Sequence, residues 1–140
     1  MPTFERNYPS VAESEEKMLD DVLVFLREND IPGNLINPFV LAVSEAFNNA
    51  MVHGNEADPE RTVTLSLLIN DKVVSADISD QGRGGLEKIR RRPPPTVLSE
   101  SGRGVDLMTH YASELTFRES PAGGLTVSLT FELKKEKNKV

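Results

Sequence analysis

The chain has 140 residues, 38% of them hydrophobic and 27% charged, with a formal charge of −6 and no cysteine. That length suits one domain able to bury about 70% of its unfolded surface, and the composition excludes collagen-like, disordered and membrane-spanning chains. The acidic balance argues against direct nucleic-acid binding, which needs clustered Lys and Arg, and the lack of cysteine removes disulfide and thiolate chemistry.

Residues 2–9, PTFERNYP, suit either a short edge strand or a loose arm. Ser10 and Glu13 have capping-box spacing, and Met18, Leu19, Val22, Leu23, Phe25 and Leu26 then recur at helical period. Asn29-Asp30 and Pro32-Gly33 should end that helix. Asn37-Pro38 predicts the start of a second helix, an N-cap with proline at the first helical position. Its apolar stripe runs through Phe39, Val40, Val43, Ala46, Phe47, Ala50 and Met51, and Gly54-Asn55 should terminate it.

The period then changes to two. Val63, Leu65, Leu67 and Ile69 alternate with partners, Asn70-Asp71 has hairpin chemistry, and Val74, Ala76 and Ile78 continue a second strand. Residues 81–104 carry five glycines and the run Pro93-Pro94-Pro95. A connector of 24 residues is long for a compact domain and points to function or mobility. A third helix is predicted from Gly104, with Val105, Met108 and Ala112 on one face. Leu115 and Phe117 mark another strand, Gly123-Gly124 a turn, and Leu125, Val127, Leu129, Phe131 and Leu133 the last strand. Helix, helix, hairpin, loop, helix, hairpin predicts an α+β fold: a two-layer α/β sandwich whose mixed, mostly antiparallel sheet carries helices on one face. The expected organisation is a single domain over 1–140, with a loose tail at 134–140 that includes Lys134, Lys135, Lys137 and Lys139. No apolar leader precedes Glu5 and Arg6, so the expected location is the cytoplasm, without membrane contact.

Three groups carry chemistry. Glu45 and Asn49 stand one helical turn apart, off the apolar stripe, with Asn48 and His53 nearby. A carboxylate and an amide so placed can orient water and help hold magnesium, which prefers oxygen ligands and keeps waters and phosphates; a solvated polar helix face would look the same. Asp80, in SDQGRGG, has the parity of Val74, Ala76 and Ile78, so it should point toward the buried side and need a partner such as the exocyclic amine of a flat ligand. Gly82 and Gly84 would let backbone approach that ligand closely; a strand-ending Asp-x-Gly turn is the alternative. SGRG, Ser101–Gly104, precedes a helix, where free N–H groups favour anions and Arg103 adds charge; a plain loop entering a helix is the alternative. No G-x-x-x-x-G-K-[ST] and no G-x-S-x-G occurs. His53 and His110 lack metal-ligand partners at helical spacing.

The order of these groups is more specific than any one of them. E-x-x-x-N on a helix, D-x-G-x-G at a strand end, then G-x-G opening a helix resembles the Bergerat-type ATP-binding fold of gyrase, histidine kinases and mismatch-repair ATPases. VSEAFNNAMVHGN, SDQGRGG, SGRGVDLM and the closing GGLTVSLTFEL are most similar to the anti-sigma factor serine kinases, over about residues 10–133. The resemblance implies ATP and magnesium as cofactors. It implies Glu45 as the base or water-orienting group, Asn49 as the magnesium ligand and Asp80 as the acceptor for the adenine amine. Gly82 and Gly84 would shape the adenine wall, and Gly102, Arg103 and Gly104 would hold the phosphates under a mobile lid at 85–101. Many relatives carry G-T before the last strand; here Gly124-Leu125-Thr126 leaves Thr126 as the stand-in. The lid runs Arg90-Arg91-Arg92 and Pro93-Pro94-Pro95 depart from the family pattern. The implied activity is phosphorylation of a serine on an antagonist with a STAS domain, with a sigma factor as the sequestered partner. Homodimerisation through the N-terminal segment and the exposed sheet face is a further option by analogy. The competing expectation is a nucleotide-responsive binding module that sequesters a regulator without significant kinase activity.

Overall fold

Period-two alternation builds one sheet. The computed structural model describes residues 1–83 and 112–133. In it β1 (Thr3–Pro9), β2 (Thr62–Ile69), β3 (Val73–Ser79), β4 (Glu114–Glu119) and β5 (Leu125–Glu132) lie in the order β1-β2-β3-β5-β4. The sheet expected to be mixed is antiparallel in every pairing among the described residues. PTFERNYP is the edge strand rather than an arm, with Thr3 opposite Leu68 and Pro9 opposite Thr62. Asn70 closes the β2–β3 turn, its Oδ1 accepting the N–H groups of Lys72 and Val73 at 2.7 and 2.9 Å. The β4–β5 turn closes through Ser120 and Gly124, with Gly123 at φ +101°, a conformation that suits glycine.

Register sorts the side chains onto two faces. Leu65 opposes Ile78, Leu67 opposes Ala76, and Ile78, Ala76 and Val74 oppose Val127, Leu129 and Phe131. All of these are buried. The other face carries hydroxyls and charges: Thr64 bonds Asn7, Ser128 bonds Asp77, and Arg118 bonds Ser128. Among the described residues two helices cover the apolar face, α1 (Glu13–Glu28) and α2 (Gly33–Asn48). Phe25 meets Phe4 of β1 at 6.0 Å between centroids, and Phe39 meets Phe131 of β5 edge-on at 5.3 Å. Full burial of side chains such as Phe39, Phe47 and Leu65 contributes about 1.5–3 kcal/mol each.

The helix ends depart from expectation. The capping box does not form: Ser10 Oγ donates to the Arg61 carbonyl at 2.8 Å, while Ser14 and Glu15 send their N–H groups to the Val11 and Ala12 carbonyls. α1 ends as predicted, with Asp30 left-handed at φ 56° and N–H groups of Asp30 and Ile31 returning to Arg27 and Leu26. The second helix starts five residues before Pro38, at Gly33. Pro32, extended at ψ 139°, is the real boundary, and partial burial of Leu35 and Ile36 against the core stabilises the extra turn. After Asn48 the coil widens into a π-helical turn, Asn49–Gly54, closed by the Asn55 N–H on the Ala50 carbonyl at 2.8 Å. The third helix predicted from Gly104 lies outside the described residues, as do most of the long loop and the 134–140 tail.

Polar contacts tie the edge strand to the first helix, and Asp21 receives two of them. The buried Tyr8 hydroxyl donates to Asp21 Oδ2 at 2.7 Å, and Arg6 pairs with the same oxygen at 3.0 Å. Burial, and then the Asp21 carboxylate, push the Tyr8 hydroxyl well above its ordinary ionisation range. The neutral form is the one the fold holds, so this stabilisation is complete below about pH 10 and is lost as the pH rises above it, where the unfolded chain ionises. We predict that Tyr8→Phe costs about 1–2 kcal/mol at pH 7 by urea denaturation, and that the variant loses less stability than the parent between about pH 10 and 11.5.

Candidate functional site

The site starts from the end of α2. Ser44 faces α1, its hydroxyl 3.4 Å from Glu15. At about 100° per residue, Glu45 and Asn49 lie on the flank turned away from α1, whereas Asn48 returns toward Ser44. The Asn49 N–H bonds back to the Glu45 carbonyl, so the two side chains stand directly one above the other, both half-buried. Val43, Ala46, Phe47 and Ala50 fill the core side of the same turns. Widening into a π turn begins at Asn49, and such single widened turns recur at functional sites.

The turn delivers Gly54 to Asp80. Asp80 follows β3, keeps the parity of Ile78 and is 7% exposed. Its Oδ1 accepts the N–H of Gly82 at 2.9 Å and of Leu125 at 3.1 Å, while its own N–H donates to the Leu125 carbonyl. Three glycines close around it. A Cβ on Gly54 would overlap Asp80 Oδ2, one on Gly82 would overlap the Gly54 carbonyl, and one on Gly124 would overlap the Asp80 carbonyl. The cradle is therefore built from backbone laid against a carboxylate.

Asn55 locks this arrangement. It is fully buried, and its Nδ2 donates to Ser10 Oγ at 2.9 Å and to the Thr62 carbonyl at 3.0 Å. Its Oδ1 accepts the Gln81 N–H at 2.7 Å, and Gln81 Oε1 in turn accepts the Thr62 N–H.

Glu45 and Asn49 thus share one row, and Asp80 and Gly82 meet the end of the same helix. Thr126 is not brought to that side. It opposes Ser79 and shares hydroxyl contacts of 2.7 Å with Ser79 and Ser120 on the polar face of the sheet. Leu125, partly buried against the core, occupies the place beside Asp80. Gly84, Gly102, Arg103 and Gly104, with the 85–101 lid, lie outside the described residues. The sequence marks Gly54 and Asn55 as a helix stop and Gly124 as a turn; the parity of Asp80, followed to its neighbours, is the signal for their closer role. Among the described residues no group of three or more acidic or histidine side chains could hold a metal ion. A cation at Asn49 would need oxygens from a ligand, which is how magnesium binds beside phosphates. Among the described residues no helix is long and apolar enough to cross a membrane.

Residues 8–131 match the family described as histidine kinase-like ATPase domain. The chain belongs to that family. It is 31% identical over 127 residues to the anti-sigma F factor of Lysinibacillus sphaericus, with 86% of each chain covered. It is 29% identical over 134 residues to the anti-sigma F factor of Bacillus subtilis, covering 93% of this chain and 92% of the relative. Among solved structures, the RsbU and RsbW domains of a Mycobacterium tuberculosis protein superpose with a TM-score of 0.71 at 21% identity, over 96% of this chain and 33% of that one. That superposition bears on the fold alone, and it agrees with the α+β architecture: one sheet, with helices on its apolar face.

Gly54→Ala is expected to lower the unfolding free energy by about 1–3 kcal/mol in urea titrations, because the new methyl must displace the Asp80 carboxylate. Gly33→Ala, whose Cβ meets nothing within 4 Å, should change it by less than about 1 kcal/mol.

Proposed function

We propose that the chain is an ATP- and magnesium-dependent serine kinase of the anti-sigma factor type, which phosphorylates a STAS-domain antagonist and sequesters a sigma factor. The observation that carries this reading is the line from Asp80 along α2 to Glu45, in a chain of this family whose relatives are anti-sigma F factors. Gly54 touches the Asp80 carboxylate. Asn49 and Glu45 stand five and nine residues earlier, roughly 7 and 13 Å along a helix axis. That span suits a purine at one end and a terminal phosphate at the other.

The residues present fit such a ligand. With Oδ1 of Asp80 committed to two backbone N–H groups, Oδ2 is the oxygen left to receive the amine of adenine. The Asn49 amide oxygen would hold magnesium, together with phosphate oxygens and water. When bound, the metal neutralises phosphate charge during transfer. Glu45 takes the proton of the antagonist serine hydroxyl as that oxygen bonds to the γ-phosphorus and the bond to the β,γ-bridging oxygen breaks. Holding the carboxylate on a helix fixed by the core keeps it in place for that transfer. Gly102, Arg103 and Gly104 enter this proposal through their motif alone, as phosphate-holding groups.

Incubation with radiolabelled ATP, magnesium and a cognate antagonist tests the reading, with label on an antagonist serine as the expected result. Tight nucleotide binding without transfer would favour the binding module instead. Glu45→Gln should slow single-turnover phosphorylation by about two to four orders of magnitude while ATP binding is retained; rates near the parent value would remove Glu45 from this role. Asp80→Asn keeps the shape and the Oδ1 acceptor but can replace the second acceptor by a donor. It should weaken ATP binding about ten- to hundredfold in calorimetry.

A further inference from the structure

Asn55 is the most deeply buried polar residue among the described residues, at 0% exposure. Five hydrogen bonds converge on it. Its N–H closes the π turn on Ala50, its carbonyl accepts the Asp58 N–H, and its amide serves Ser10, Thr62 and Gln81. Closing a helix needs only the first of these. The side-chain bonds do something else: they join the corner between β1 and α1, the entry of β2, and the residue directly after Asp80.

The last bond bears on the site. Asp80, Gln81 and Gly82 leave the sheet together. Asp80 is held on the β5 side by Leu125, through the Asp80 N–H and its Oδ1. On the helix side, Gly82 packs on the Gly54 carbonyl, a contact that positions by exclusion only. The bond from the Gln81 N–H to Asn55 Oδ1 is the directional link between this segment and the end of α2. An amide is suited to the place because one group supplies an acceptor to Gln81 and two donors to Ser10 and Thr62. A carboxylate there would lack the donors, and an apolar side chain would take away the partner of the Gln81 N–H and of the Thr62 carbonyl.

We infer that Asn55 is a positioning residue for base selection: it fixes the Asp80–Gly82 segment against the end of α2, and so sets where the Asp80 carboxylate meets the base. This rests on the reading of Asp80 as the acceptor for a 6-amino purine. Loosening the segment lets Asp80 shift, and the bond to the amine suffers more than contacts along the phosphates, which other residues make. Discrimination between a 6-amino and a 6-oxo purine should therefore fall further than general affinity.

The test compares dissociation constants of ATP and inosine triphosphate, both with magnesium, for the whole chain and its variants, alongside thermal midpoints. The parent should prefer ATP by about tenfold or more, the range expected for one hydrogen bond to a charged acceptor. Asn55→Ala should reduce that preference to within about threefold. Ser10→Ala, which removes only one partner of the amide, should give an intermediate ratio and serves as the deciding variant if Asn55→Ala does not fold. A folded variant with a lowered midpoint and the full parental preference overturns the inference, because a purely structural residue would behave that way. Asp80→Asn separates the two claims. If the parent shows no preference and Asp80→Asn changes neither constant, the reading of Asp80 itself fails; if both behave as expected and the Asn55 and Ser10 variants keep the parental ratio, only the role of Asn55 is overturned.

Discussion

The contact on which the rest of the site depends is the approach of the Gly54 backbone to the Asp80 carboxylate. A helix end and a strand end normally stand apart by the width of two side chains. Here only the Asp80 side chain lies between them: Gly54 has none, and neither Gly82 nor Gly124 could carry one without overlapping its neighbour. A charged group in so dry a place needs compensation. It comes from the N–H groups of Gly82 and Leu125 at 2.9 and 3.1 Å. Backbone donors do not change rotamer, so the carboxylate is oriented by the chain path itself.

Much of this was legible in the sequence, and the parts that were not share a cause. Strand positions and the turns at Asn70 and Gly123 followed from alternation and turn chemistry, both local properties. The inward parity of Asp80 followed from the same count. The spacing of Glu45 and Asn49 placed them on one row, as the Asn49 N–H on the Glu45 carbonyl confirms. Failures came where a distant partner outbid the local one. Ser10 had capping geometry on paper, yet Arg61 and Asn55 took its hydroxyl. Asn37-Pro38 had the chemistry of a helix start, yet packing of Leu35 and Ile36 extended the helix back to Gly33. Thr126 stands one residue from Leu125, and one residue along a strand is a change of face; its hydroxyl meets Ser79 and Ser120 instead of Asp80. The π turn has no sequence signal that periodicity can see.

Asn55 illustrates how the helix stop and the site were merged in one residue. As a terminator it was predictable from its side-chain type. Its amide instead reaches across to Gln81, Thr62 and Ser10, residues 26, 7 and 45 positions away. A residue that ends a helix is well placed for this, since the chain turns away there and the side chain is left facing whatever the helix end abuts. What it abuts in this fold is the strand end that carries Asp80.

The orientation of Glu45 is set farther off, by how α2 is pinned to the sheet. Phe39 meets Phe131 edge-on at 5.3 Å, and Phe47, about two turns later, meets Tyr8 edge-on at 5.4 Å. The first contact is to β5, one strand in from the β4 edge, and the second to β1 at the opposite edge, so the helix is held at two separated points that oppose rolling. Rolling α2 by one residue, about 100°, would carry Glu45 off its flank and bring a core residue into its place. The polar tie from Tyr8 to Asp21 then matters beyond the stability of the edge strand: it fixes the ring against which Phe47 packs, and through Phe47 the face that α2 turns toward the site.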